Sequence, residues 1–178
     1  MVNLFHIPKG PDFPRVVTAV IEVPSGCRAK YEYDINRGIL KLDRVLTTSA
    51  RYPGNYGFVP QTLGNARNAV DVYVLVPEPL QPGCVLEVKP LGLLEMADEM
   101  GVDSKVIALH VRDPRAREIE DIFQMKDFAL EEIKHFFMTY KIGTNVKGWL
   151  GRKEAYDFLD YAHGEYLRRY GHAGDRKM

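Results

Sequence analysis

The run Val85-Leu-Glu-Val-Lys-Pro-Leu-Gly-Leu-Leu-Glu-Met96, followed after an acidic turn by Lys105-Val-Ile-Ala-Leu-His-Val111, decides the fold class. Both runs are apolar and bounded by turn signals, which predicts β-strands. Pro90 and Gly92 predict a break within the first. The same character extends upstream. Val16 to Val23 is β-rich and is closed by Pro24-Ser25-Gly26. Lys30 to Tyr33 alternates, and the turn Asn36-Arg37-Gly38 leads into Ile39 to Arg44, which predicts a hairpin. Asp71 to Val76 is a further strand, closed by Pro77, Pro79 and Pro82. Pro8, Pro11 and Pro14 make residues 1–15 read as an extended arm. On this reading Lys105 to Val111 is the last strand.

Beyond it the period changes. Ile133, Phe136, Phe137 and Tyr140 recur at i, i+3, i+4 and i+7, one face of a helix, with Asp127 as N-cap and Gly143 as stop. Ala155, Phe158, Leu159, Ala162 and Tyr166 repeat the pattern, with Gly171 at the end. The expectation is a mainly β, α+β architecture: a small antiparallel barrel carrying two C-terminal helices, with Ile133, Phe136, Phe137, Phe158 and Leu159 buried between helices and sheet. The single Trp149 is expected in the core.

The chain has 178 residues, which predicts one domain spanning 1–178. At 46% hydrophobic and 27% charged it is of globular composition, and disorder is excluded. Lys+Arg and Asp+Glu both number 24, so there is no broad electrostatic footprint for nucleic acid or an acidic membrane. No apolar run approaches the ~20 residues of a spanning helix. Cys27 and Cys84 stand far apart, against a disulfide framework or a thiolate zinc site. The N-terminal residues lack a basic stretch followed by an apolar one, so the cytoplasm is the expected location.

Four stretches could carry chemistry. In Glu95-Met-Ala-Asp98-Glu99-Met-Gly-Val-Asp103-Ser-Lys105, Asp98 and Asp103 flank a Gly-containing turn and could aim two carboxylates at a hard cation such as Mg²⁺. A solvated hairpin loop is the plainer account. Lys30 and Glu32 share one strand face near Asp43-Arg44, as an exposed edge strand also would. Tyr52-Pro-Gly-Asn-Tyr56-Gly57 either packs two tyrosines in the core or offers hydroxyls to an anion. Tyr140-Lys141 closes a helix, where a lysine complements the dipole. The five histidines are scattered without metal-ligand spacing, and no phosphate-cradling glycine loop is present.

Taken in order, these stretches resemble the family I soluble inorganic pyrophosphatases over nearly the whole chain. The matching runs include Ile21-Glu22-Val-Pro24, Lys30-Tyr-Glu32, Leu42-Asp-Arg44, Tyr52-Pro-Gly-Asn-Tyr-Gly57, Pro79-Leu-Gln-Pro-Gly83, Met96-Ala-Asp-Glu99, Asp103-Ser-Lys105, His135-Phe-Phe137 and Tyr140-Lys141. The resemblance implies a five-stranded OB-type barrel with two helices. It also implies Mg²⁺-dependent hydrolysis of pyrophosphate to two phosphates, with Mn²⁺ as an alternative metal, in a homo-oligomer that is often a hexamer. Position by position, Glu22, Glu32, Asp71, Asp98 and Asp103 match the family's metal-cluster acids. Lys30, Arg44, Tyr56, Lys105, Tyr140 and Lys141 match its phosphate-contacting groups. Tyr56, Asn68 and Asp71 fall at the reacting centre.

One stretch departs. Where the family carries Asp-x-Asp-Pro-x-Asp, this chain has Ala66-Arg67-Asn68-Ala69-Val70-Asp71. Ala66 offers no ligand, and Asn68 hydrogen-bonds but cannot take a proton as a carboxylate does. Arg67 is either solvated or a phosphate clamp. The segment between Lys141 and Trp149 is also shorter than is usual in the family. Three expectations stand together: a slowed pyrophosphatase, a non-catalytic homologue that binds a phosphorylated ligand or a partner subunit, and a hydrolase or transferase for another phosphorylated small molecule.

Overall fold

The computed structural model describes residues 2–64, 68–99 and 101–171; the side chains of Asp98 and Ala116 are not described. In chain order it forms β1 (Val17–Val23), β2 (Ala29–Asp34), β3 (Ile39–Val45), β4 (Asn55–Val59), β5 (Val70–Leu75), β6 (Val85–Asp98), β7 (Gly101–Val102), β8 (Lys105–His110), α1 (Asp127–Thr139), β9 (Asn145–Leu150) and α2 (Arg152–Tyr170). Strands β1, β4, β5, β8 and β6 pair in that order, and β6 pairs back onto β1 through Val17 opposite Val88 and Val20 opposite Val85. The result is a closed five-stranded barrel, and closure leaves these five strands without an open edge. The hairpin β2–β3 stands apart as its own two-stranded sheet.

Alternation along the strands sorts side chains into two cores. On β8, Ile107 and Leu109 join Tyr52, Tyr73, Leu91 and Leu94 with Ile133, Phe136 and Phe137 of α1. Val106 and Ala108 join Val17, Val72, Val88 and Leu93 with Ala155 and Leu159 of α2. The helices thus seal the two faces of the same strands. Phe158 and Trp149 lie partly buried at the edges of these cores. The described residues contain no helix long and apolar enough to cross a membrane.

Several local expectations are corrected. A strand absent from the expected set, β4, begins at Asn55, and all five of its residues are buried. A Cβ on Gly57 would lie 1.8 Å from the Val20 carbonyl oxygen, so this glycine is what lets β1 and β4 approach. The pair β5–β8 is parallel, so the barrel is not antiparallel throughout. Lys105 to His110 is not the last strand, since β9 adds to β6 between the helices. β6 is 14 residues long and bends through a bulge at Pro90–Gly92 rather than breaking, which leaves its far half free to pair with β9. Lys126, not Asp127, occupies the N-cap position of helix α1 without a side-chain capping bond, and Asp127 stands at the first helical position beside the positive end of the dipole. It ends at Thr139, and Gly143 lies in the following loop. The N-terminal residues are not simply extended: Leu4–His6 make a 3₁₀ turn whose Phe5 is wholly buried against Tyr166 and Tyr170 of α2.

Candidate functional site

The hairpin places Lys30 directly opposite Arg44. Two cations in register would repel. Carboxylates are interleaved between them: Lys30 Nζ donates to Glu32 at 2.6 Å and lies 3.6 Å from Asp43, and Arg44 lies 3.3 Å from Asp43. β5 contributes Asp71, and the turn after β7 contributes Asp103. β8 opens with Lys105, and the residues just past α1 are Tyr140 and Lys141. All of these side chains except Asp43 converge, with Glu22 of β1 and Tyr56 of β4, on one cavity of about 400 Å³. Asn68 and Ala69 line it too. Asp98 lies at the end of β6, but its side chain, like the whole of Ala66 and Arg67, is outside the described residues.

The centre of the site is Lys105. Only 2% exposed, its ammonium donates to the carboxylates of both Asp71 and Asp103. Burial alone would favour the neutral amine, but the two carboxylates outweigh it and raise the lysine above its usual value. Lys105 therefore stays charged. Its Nζ also sits 5.9 Å from the centroid of the Tyr56 ring.

Glu22 is buried, and its carboxylate accepts the Tyr33 N–H at 2.7 Å. Burial pushes its carboxyl up to about 8; Asp71 and Glu32 add to the rise, while the Tyr33 N–H and Lys30 oppose it. Burial thus favours the protonated form of Glu22, against the pull of Lys30. Burial raises the phenol of Tyr56 well above its ordinary value and that of Tyr140 to about 12, with Lys105 holding Tyr140 back. Both remain neutral phenols with a proton to donate.

Both Tyr52 and Tyr56 are buried in the same core, and Tyr56 also takes the second role that the sequence left open. Tyr52 is a core residue, 4.6 Å between ring centroids from Phe136, while Tyr56 lines the cavity. Asn55 between them is buried. Its side-chain carbonyl accepts the N–H groups of Ser25 and Leu80, and its amide donates to the Glu78 carbonyl. Among the described residues, His6, His110, His135 and His163 stay outside the cavity lining. His163 Nδ1 donates to the Gln61 carbonyl and its Nε2 accepts from Lys9, a satisfied structural role.

The donor chemistry suits a hard divalent cation. Asp71 and Asp103 reach the same point from two elements, and carboxylate oxygens are what Mg²⁺ prefers. Among the described residues no three His, Cys, Asp or Glu side chains come close enough to enclose an ion. That too is compatible with Mg²⁺, which keeps several waters and takes substrate phosphates as further ligands.

The sequence reading missed part of the lining of this cavity. Phe5, Tyr33, Ile35, Phe58 and Val102 also line it. Phe5 carries no local signal, since its placement comes from the N-terminal turn folding against α2.

The model of the inorganic pyrophosphatase family matches residues 19–167. The chain belongs to the inorganic pyrophosphatase family. It is 46% identical over 162 residues to the inorganic pyrophosphatase of Thermus thermophilus, covering 87% of this chain and 93% of the relative. It is 42% identical over 172 residues to that of Haloferax volcanii, covering 93% and 97%. The crystal structure of the Thermus protein superposes with a TM-score of 0.89 at 44% identity, over 93% of this chain and 99% of that one. As a pyrophosphatase-family barrel with two helices, the molecule agrees with the fold class expected from its sequence, and the family is one that depends on Mg²⁺.

Proposed function

We propose that this single-domain protein hydrolyses pyrophosphate to two phosphates with Mg²⁺, and that Mn²⁺ can substitute. The observation that carries the reading is a permanently charged lysine, Lys105, between two carboxylates in a cavity that also gathers Lys30, Arg44 and Lys141. A polyanionic substrate needs such density of cations, and the cations need interleaved acids to coexist in a neutral protein. Arg44 offers a planar fork to phosphate oxygens, while the lysines act as point charges. Tyr56 and Tyr140 donate their phenolic hydrogens. Asp71 and Asp103, with Glu22 and Glu32 in the same cavity, are the groups assigned to hold the metal, and Asp98 is assigned with them from its place in the sequence. When bound, Mg²⁺ neutralises phosphoryl charge and acidifies water. The names of the Thermus and Haloferax relatives support the same substrate.

Asn68 sets the rate. It lines the cavity where the family carries a carboxylate, and it can orient a water through its carbonyl oxygen but cannot take its proton. Loss of a general base costs ~10²–10⁴-fold. The reaction is therefore slow, and the alternative favoured by the same residue is a non-catalytic protein that binds a phosphorylated ligand. Phosphate release from pyrophosphate, measured with and without Mg²⁺ or Mn²⁺, separates the two. Metal-dependent turnover below the ~10 s⁻¹ of a median enzyme is expected. No release above the uncatalysed rate leaves the binding reading.

A homo-oligomer, on the family pattern a hexamer, belongs to the same proposal. Ile39, Leu42 and Val45 on the hairpin and Phe128 and Met138 on α1 are exposed apolar side chains available to a second copy. Sedimentation as a monomer at micromolar concentration would overturn it. A cytoplasmic location is supported by the two free thiols, Cys27 and Cys84, which suit a reducing compartment.

A further inference from the structure

Three charged groups of the cavity, Lys30, Glu32 and Arg44, stand on a hairpin that forms its own two-stranded sheet. Every residue of β2 is half-buried and nearly all of β3 is exposed. A two-stranded hairpin is marginal by itself, so the placement of these groups depends on what pins it. Its base is tied to the chain before β4, where the Gly26 N–H donates to the Tyr52 carbonyl at 2.8 Å and the Tyr52 N–H to the Cys27 carbonyl at 3.0 Å. Its far end is tied to Asn3. The Asn3 amide donates to the Ile35 carbonyl at 2.8 Å, just beyond β2, and its Oδ1 accepts the Tyr33 hydroxyl at 3.1 Å. The same oxygen accepts the Phe5 N–H at 3.0 Å and so caps the turn Leu4–His6. A backbone N–H only donates and a carbonyl only accepts, so these partners fix which way the Asn3 amide points. They fix the Tyr33 hydrogen too, because the Tyr33 oxygen accepts the Leu4 N–H at 2.8 Å.

Asn3 is itself held to the main body of the protein. Phe5 is wholly buried, and its carbonyl accepts the Gln61 N–H at 3.0 Å. The Gln61 side chain donates to the His6 carbonyl at 3.2 Å, and the Gln61 carbonyl accepts from His163 of α2 at 2.7 Å. Gln61 has a φ of 55°, a left-handed backbone that a residue with a Cβ disfavours, and these three bonds hold it there. At the other end of the chain of contacts, the Tyr33 N–H donates to the Glu22 carboxylate at 2.7 Å. Tyr33 thus bonds to the site through its backbone and to Asn3 through its side chain.

Resting on the phosphate reading of Lys30 and Arg44, we propose that Asn3 is a positioning residue that pins the far end of the β2–β3 hairpin. Asn3 does not line the cavity; it acts through Tyr33 and Ile35. Without it the hairpin hinges about its base. Lys30 and Arg44 then lose their register on the substrate, whereas Asp71 and Lys105, on the barrel strands β5 and β8, keep theirs.

Asn3→Ala and Asn3→Ser test this by phosphate release from pyrophosphate in Mg²⁺, together with hydrogen–deuterium exchange. Serine still caps the turn but lacks the amide that donates to Ile35. Both variants are expected to raise KM about three- to tenfold, the scale of one net hydrogen bond. Their kcat should change less than about twofold, the pattern of lost uniform binding. The amides of residues 29–45 should exchange faster while those of β5 and β8 do not. Tyr33→Phe removes the hydroxyl from the same set of bonds, so it should raise KM alone and add less than that to Asn3→Ala. A raised KM in Asn3→Ala that Asn3→Ser restores to the wild-type value would make Asn3 a cap only and overturn the proposal. An unchanged KM in both variants, or a fall in kcat alone, overturns it as well. A wild type that releases no phosphate defeats the pyrophosphatase reading instead. Exchange in the hairpin and calorimetric affinity for methylenediphosphonate in Mg²⁺ then decide this inference: faster exchange with weaker binding in both variants upholds it, and wild-type values of either overturn it.

Discussion

Lys105→Met leaves Asp71 and Asp103 facing each other without the ammonium between them. Removing one partner of a buried ion pair costs ~3–5 kcal/mol. Here the carboxylates keep 27% and 30% of their side-chain exposure, so water recovers part of the loss. The deleted lysine also no longer has to be desolvated. A net destabilisation of about 2–4 kcal/mol follows. At ~2–4 °C per kcal/mol for a chain of this size, the Tm should fall by roughly 4–16 °C. The assay is thermal unfolding followed by circular dichroism at neutral pH, in EDTA and then in Mg²⁺. Because the variant takes the ammonium away from two converging carboxylates, Mg²⁺ should restore more stability to it than it adds to the wild type. A cation at a hundred times its Kd contributes ~2.7 kcal/mol. A variant as stable as the wild type in EDTA would refute the claim that Lys105 neutralises this pair. An equal Mg²⁺ shift in both proteins would refute the claim that the two carboxylates form a cation site.

Glu22 gives a pH-dependent prediction. Its folded carboxyl titrates near 8 against an ordinary value of 4.5, so its contribution to stability is full below about pH 4.5 and is lost as pH rises towards 8. Glu22→Gln keeps an acceptor for the Tyr33 N–H and should flatten the fall in metal-free stability over that window; an unchanged slope in urea unfolding would sink the assignment. Ala66→Asp with Asn68→Asp should raise pyrophosphate turnover by ~10²-fold or more, by returning a metal ligand and a proton acceptor. Asp71→Asn in that background should abolish the gain, and a double substitution that adds nothing to an already fast enzyme would show that Asn68 does not limit the rate. Gly57→Ala drives a methyl group into the Val20 carbonyl and should cost at least the ~1–3 kcal/mol of an overpacked core, read as a lower denaturant midpoint. A midpoint equal to the wild type would mean that β1 and β4 are free to separate.

Local chemistry fixed much of the molecule. The apolar runs around Leu93 and Ile107 and the face Ile133, Phe136, Phe137 carry their periodicity in the chain itself, because a strand repeats every two residues and a helix every 3.6. The charged residues of the cavity were legible as short runs in a fixed order, although no single run was decisive. Other features depended on contacts between residues distant in sequence. β4 contains glycine and follows Pro53-Gly54, and it is a strand only because the barrel closes over it and pairs it with β1 and β5. β9 exists because β6 outruns the barrel and offers an unpaired edge, and the parallel pairing of β5 with β8 follows from the order in which the ring closes. Tyr52 and Tyr56 read alike in the sequence; both pack in the core against α1, and only the fold shows that Tyr56 also lines the cavity. Tyr33, which lines that cavity, has its hydroxyl engaged by Asn3 and Leu4, a contact across about thirty residues that no periodicity could reveal. The titration of Glu22 is likewise a property of the fold, since a glutamate acquires a raised pKa only when tertiary packing strips it of water.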